Sequence, residues 1–156
     1  MMNKSAAFTS QHSDIHITSA AFGQLSRYCQ SGFPFEACGI LTGPAQALSG
    51  TAAIITDIRP VKNISRHPEQ SFVFDPMEWV KTFYDIKKNQ QQIVGLFHSH
   101  PGGTAGPSIA DLAGFPNGLD TTYWIVSLSL SKSPAVYAYR FVEGHFSPLM
   151  FTQISV

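Results

Sequence analysis

His98 and His100 stand two residues apart at the close of an apolar run, and this spacing is the chain's first sign of chemistry. Successive side chains alternate along a strand, so both imidazoles project from one face. Two neutral imidazoles on one face are a ready pair of zinc ligands, each able to sit ~2.0–2.1 Å from the ion. Pro101 follows at once and, with no N–H to donate, ends the strand. A loop with Gly102, Gly103 and Gly106 then leads to Ser108 and Asp111, three apart and so on one side of a short helix. Folded back over the strand end, that helix offers Asp111 as a third ligand. Two histidines and a carboxylate leave the fourth position to water, the arrangement of a catalytic rather than a structural zinc site. A lone histidine at a strand end is usually no more than that; the carboxylate and serine at compatible spacing favour a metal.

The elements that must carry these residues read as strands around a few helices. Ile15 and Ile17 alternate with polar neighbours as a short first strand. Thr18 or Ser19 can cap a helix whose apolar face is Phe22, Leu25, Tyr28 and Cys29, ended by Ser31, Gly32 and Pro34. Residues 38–42 are strand-like, residues 51–58 are β-branched and read as one strand, and 71–74 as a further short one. Asp75-Pro76-Met77-Glu78 is a strong helix start, with Glu78 placed to complete a capping box. Trp79, Val80, Phe83 and Tyr84 give that helix an apolar face up to about Lys88. Residues 92–98 form the strand into the histidines, and Ser108 caps a short helix over 109–115. Three closing strands follow over 123–130, 135–142 and 146–154, turned by Lys132-Ser133-Pro134 and Glu143-Gly144. The reading is an α/β (α+β) domain: a mixed, largely antiparallel sheet, two main helices, and a short helix at the metal site.

Length and composition agree with one such domain, over residues 15–156 behind a flexible polar leader at 1–14. Of the 156 residues 44% are hydrophobic and only 13% charged, which excludes a disordered chain. Ten basic and ten acidic residues cancel, leaving no surplus for a nucleic-acid backbone. No apolar run reaches the ~20 residues of a membrane helix, and none follows the leader's lysine as in a signal peptide. Cys29 and Cys38 are too few for a disulfide framework and read as free thiols in a reducing cytoplasm.

The run from Phe97 to Asp111 resembles the motif of the JAMM, or MPN-plus (Mov34/MPN/PAD-1), zinc metallopeptidases: His-x-His-Pro, then Ser-x-x-Asp. Seven residues separate His100 from Ser108 and two separate Ser108 from Asp111, as in that family. Pro34-Phe35-Glu36-Ala37-Cys38-Gly39-Ile40-Leu41-Thr42-Gly43 resembles its upstream segment, and Val94-Gly95-Leu96-Phe97 its strand into the histidines. The likeness extends from about Ile15 to Phe151. Phe97 replaces a frequent tyrosine, and the loop from Gly102 to Gly106 is richer in glycine than expected.

The resemblance implies a cytidine-deaminase-like fold and a small prokaryotic-type member. It implies one Zn2+ on His98, His100 and Asp111 with a catalytic water, Glu36 as general base and then acid, and Ser108 as donor to the oxyanion. It also implies a peptidase or isopeptidase acting after the C-terminal Gly-Gly of a ubiquitin-like or sulfur-carrier protein. Two alternatives stay open: a non-catalytic MPN protein-interaction scaffold, and a zinc hydrolase of small amides. Cys38 as a thiol nucleophile is disfavoured, since a small cysteine with apolar neighbours is usually core. His12, His16, His67 and His145 lack partners at ligand spacing, and Ser99 faces away from the two ligands beside it.

Overall fold

The computed structural model describes residues 15–45, 52–104, 106–129 and 132–155, so the expected leader lies outside the described residues. The elements run β1 (Ile15–Thr18), α1 (Ser19–Ser31), β2 (Cys38–Pro44), β3 (Ala53–Ile55), β4 (Asp57–Val61), α2 (Pro76–Lys88), β5 (Gln91–His100), α3 (Ile109–Leu112), β6 (Thr122–Ser129), β7 (Lys132–Val142), β8 (His145–Leu149) and β9 (Phe151–Ile154). A six-stranded sheet has the order β4-β2-β5-β6-β7-β8, antiparallel throughout except between β5 and β6. The mixed, largely antiparallel sheet with few helices is thus present. It is joined by a second sheet, β3-β1-β9, whose pairings are both parallel.

Local chemistry accounts for the helix starts. Thr18 caps α1, its hydroxyl accepting from the Ala21 N–H at 3.1 Å, and Asp75 caps α2 by accepting from the Met77 N–H at 3.0 Å. Glu78 does something other than close a capping box: its Oε2 accepts from the Lys62 N–H at 2.6 Å and ties α2 to the end of β4. The hairpin between β7 and β8 turns on Glu143 and Gly144, both at positive φ (49° and 79°), as a tight two-residue loop requires.

Several strand boundaries differ from the sequence reading, for one physical reason. The β-branched run over 51–58 is cut at Thr56; β3 joins the small sheet and β4 the large one, while Thr51 lies outside the described residues. The run over 146–154 is cut at Met150, with β8 in the large sheet and β9 in the small. Residues 71–74 contribute only a bridge between Asn63 and Phe74, and the helix after Ser108 ends at Leu112. Residues 132–134 belong to β7 rather than to its preceding turn. Apolar content specifies that a segment is buried, and says nothing of which neighbour it pairs with.

Side chains on the two faces of the large sheet build two cores. Ile17, Leu25, Cys29, Phe97 and Trp124 pack with α1 and the small sheet on one face. Cys38, Ile40, Leu96, Ile86, Phe72 and Phe115 pack with α2 on the other. The second face carries the histidines.

Candidate metal and catalytic site

β5 extends through both histidines, so His98 and His100 fall on the face of Leu96. Their Nε2 atoms lie 2.8 Å apart. β2 runs antiparallel beside β5 with Cys38 opposite His98. The pairing continues past the strand's start: Ser99 N–H donates to the Ala37 carbonyl at 2.9 Å, and the Ala37 N–H donates to Ser99 Oγ at 2.8 Å. Two residues before Cys38, Glu36 therefore falls opposite His100 and on its face. One ligand atom each from Glu36, His98 and His100 lie within 4.8 Å of one another.

Asp111 arrives from the other side. α3 is a single turn, held down by Phe115, whose ring packs 4.6 Å from Phe72 and 5.4 Å from Phe74. Gly114 lets this turn press against the Phe72 carbonyl, which any Cβ there would strike. Asp111 Oδ2 thereby comes to 3.4 Å from His98 Nε2 and 3.6 Å from His100 Nε2. Its other neighbour is the Ser108 N–H, donating to the same oxygen at 2.9 Å.

A divalent ion of zinc type fits this donor set. Tetrahedral bonds of ~2.0–2.1 Å require ligand atoms about 3.3 Å apart. The two Asp111 separations match that spacing, and the imidazole pair sits somewhat closer. His100 Nδ1 lies 2.8 Å from the Thr104 carbonyl, which can only accept, so the neutral ring carries its proton on Nδ1 and presents the Nε2 lone pair to the cluster. Three electron-rich atoms crowded together repel unless a proton or a cation lies among them.

The titration behaviour follows from the same packing. Burial pushes the Glu36 carboxyl up to about 7, with His100 opposing and Asp111 reinforcing the shift. Burial pushes His98 down, against the pull of Asp111. Burial also acts to lower His100, but the Asp111 carboxylate, the Thr104 carbonyl and Glu36 together raise it. At Asp111 burial acts upward and is outweighed by the neighbouring His100 and His98 imidazoles and the Ser108 N–H bond, which hold the carboxyl well below the usual carboxylate range. Such a set keeps one carboxylate charged and another poised to exchange a proton near neutral pH.

A cleft of about 260 Å³ opens over these groups, lined by Glu36, Glu69, Gln70, His100, Ser108 and Asp111 among others. All five residues singled out in the sequence thus meet here: Glu36, His98, His100 and Asp111 as the cluster, and Ser108, exposed, at the cleft's edge. None of His16, His67 or His145 joins a metal-ligating group among the described residues, and His12 lies outside them. Sequence spacing missed Phe72, stacked on His98 at 4.5 Å, and Thr104, which orients His100. Neither carries a local signal, since each acts only through its place in the fold. Cys29 and Cys38 are buried free thiols.

Comparison with known proteins bears on the family and the fold. Residues 18–142 match the family described as prokaryotic homologs of the JAB domain. Desampylase from Haloferax volcanii is 36% identical over 78 residues, 50% of this chain and 52% of that protein, so the match spans about half of each. The solution structure of a protein from Desulfitobacterium hafniense superposes with a TM-score of 0.77 at 24% identity, covering 91% of this chain and 94% of the other. The crystal structure of a JAB1/MPN domain protein from Archaeoglobus fulgidus gives 0.59 at 15% identity, covering 91% and 99%. At these identities the two structures speak for the fold alone.

Proposed function

The chain belongs to the prokaryotic homologs of the JAB domain, and from that membership we propose that it is a zinc-dependent peptidase or isopeptidase. Its substrate in this reading is the amide bond after the C-terminal Gly-Gly of a small ubiquitin-like or sulfur-carrier protein. The observation that carries the reading is the convergence of His98, His100 and Asp111 on one another beside the buried carboxyl of Glu36. We assign the three as ligands of one zinc, Glu36 as proton carrier and Ser108 as a hydrogen-bond donor to the reacting carbonyl.

When bound, zinc supplies a Lewis acid and a water whose pKa falls toward ~7. Glu36, facing the ligands, would take a proton from the attacking water and return it to the leaving amine. Asp111, held well below the usual carboxylate range, stays ionised, so it would serve as a charged ligand and does not compete for that proton. Ser108, at the cleft's edge, donates a hydrogen bond from its hydroxyl to the carbonyl oxygen as negative charge develops there. Thr104 holds the His100 ring by its Nδ1 and so keeps Nε2 turned toward the cluster.

In this reading a tail without side chains at its last two positions lies in the cleft beside the ligands. The partial likeness to a desampylase favours a small ubiquitin-like protein on the acyl side of the bond. The test is incubation with Gly-Gly-terminated carrier fusions, with and without a chelator, followed by mass measurement. The expected product is the carrier ending at its second glycine, formed only when metal is available. Cleavage of small amides with no action on any carrier would favour the alternative of a small-amide hydrolase. Cleavage that persists in a metal-free sample would end the reading.

A further inference from the structure

Asn63, just beyond β4, uses every hydrogen bond its side-chain amide can make. Nδ2 donates to the Glu36 carbonyl at 3.0 Å and to the Ser71 carbonyl at 3.0 Å. Oδ1 accepts from the Ser65 N–H at 2.9 Å and from the Val73 N–H at 3.0 Å. Two donors and two lone pairs are the whole capacity of an asparagine side chain. The segment it gathers closes on Glu36 a second time, because the Glu36 N–H donates to the Pro68 carbonyl at 2.7 Å. Both main-chain polar groups of Glu36 therefore end on residues 63–68. One residue further, Ala37 is pinned to Ser99 on β5 through its N–H and its carbonyl. The same segment supplies Glu69 and Gln70 to the wall of the cleft.

We propose that Asn63 is a positioning residue for Glu36: through its Nδ2 bond it fixes the main chain of the proton carrier, and so the direction of its carboxyl, without touching substrate or metal. The inference rests on the assignment of Glu36 made above. Its physical basis is that Glu36 lies outside β2, where no strand ladder holds its own peptide groups. An irregular peptide keeps one conformation only if its N–H and C=O find fixed partners. Asparagine suits the task because one rigid amide can brace four peptide groups at once.

Two variants separate this role from general support of the loop. Asn63→Asp keeps both acceptor bonds but sets a carboxylate oxygen against the Glu36 and Ser71 carbonyls. Ser71→Ala removes the loop's own contact between the Ser65 and Ser71 hydroxyls and leaves the bond to Glu36 intact. In folded, zinc-loaded protein, Asn63→Asp should lower kcat roughly ten- to a hundredfold with KM within about twofold, as expected for a misplaced catalytic group. In metal-free protein its Glu36 amide should exchange with deuterium roughly tenfold faster or more. Ser71→Ala should leave both quantities within about twofold of the parent. Unchanged kcat and amide protection in Asn63→Asp would overturn the proposal, as would a Ser71→Ala variant that reproduces both losses. If Asn63→Asp does not fold, Asn63→Ser, which also loses the reach to Glu36, is judged by the same two measurements. A Glu36→Gln variant as active as the parent would instead refute the role of Glu36, and the amide exchange would still test the link to Asn63.

Discussion

Donor atoms 2.8, 3.4 and 3.6 Å apart on His98, His100 and Asp111 place three lone pairs where a single cation can neutralise their repulsion. At the scale of the residue, the division of labour follows from what surrounds each group. Asp111, beside two imidazoles and the Ser108 N–H, keeps its charge, whereas Glu36 is only 5% exposed and its burial raises its pKa. Replacing His100 with alanine should therefore abolish stoichiometric zinc binding, measured as metal per folded chain. Glu36→Gln should retain the metal and lose roughly 10²–10⁴ in kcat, the usual contribution of a positioned acid–base group. Ser108→Ala should cost about 10²–10³ in kcat with zinc content unchanged, as for the loss of one oxyanion donor. A Ser108→Ala protein with full turnover would remove the serine from the reaction.

At the scale of the element, the site depends on a one-turn helix too short to be stable by itself. What holds α3 is the burial of Phe115 among Phe72, Phe74 and Tyr123. Phe115→Ala should lower stability by about 3–5 kcal/mol, the cost of a large cavity in a packed cluster. It should also weaken zinc binding, because Asp111 rides on the same turn; calorimetric unfolding and a zinc titration measure the two effects. The helix and its serine cap were legible in the sequence, since Pro107, Ser108 and Asp111 act locally. The anchor was not, because Phe115 is one aromatic among many until the chain folds. Likewise Glu78 has capping-box spacing from Asp75, yet it binds the Lys62 N–H, a partner that only the packing of α2 against β4 provides.

At the scale of the whole molecule, two cores share one sheet, and each buries a thiol: Cys29 on the α1 face and Cys38 on the α2 face. Burial, reinforced by nearby negative groups, pushes both up to about 12 from an ordinary 9.0. The fold thus favours the neutral thiols. Their contribution to stability is complete below about pH 9 and is lost as pH rises from there toward 12. Unfolding midpoints in denaturant should accordingly fall between pH 8.5 and pH 11, and replacing both cysteines with alanine should flatten that dependence. The thiols should also resist alkylation in the native protein and react fully once it is unfolded, which disfavours a nucleophilic role for Cys38.

The positions of His98, His100, Ser108 and Asp111 on their own elements follow from local rules: a period of two along a strand, a proline that ends it, a serine that caps a turn. Glu36 was different, since by itself it reads as a surface carboxylate and it entered only through a family likeness. What brings it to the histidines is the register of β2 against β5, Cys38 opposite His98, with the Ala37–Ser99 bonds carrying the pairing one residue further, next to Glu36. Register, the allotment of residues 53–61 and 145–154 to two sheets, and the bracing by Asn63 arise from contacts between segments far apart in sequence. Such contacts leave no periodic trace in either segment alone, because their energy exists only once both are in place.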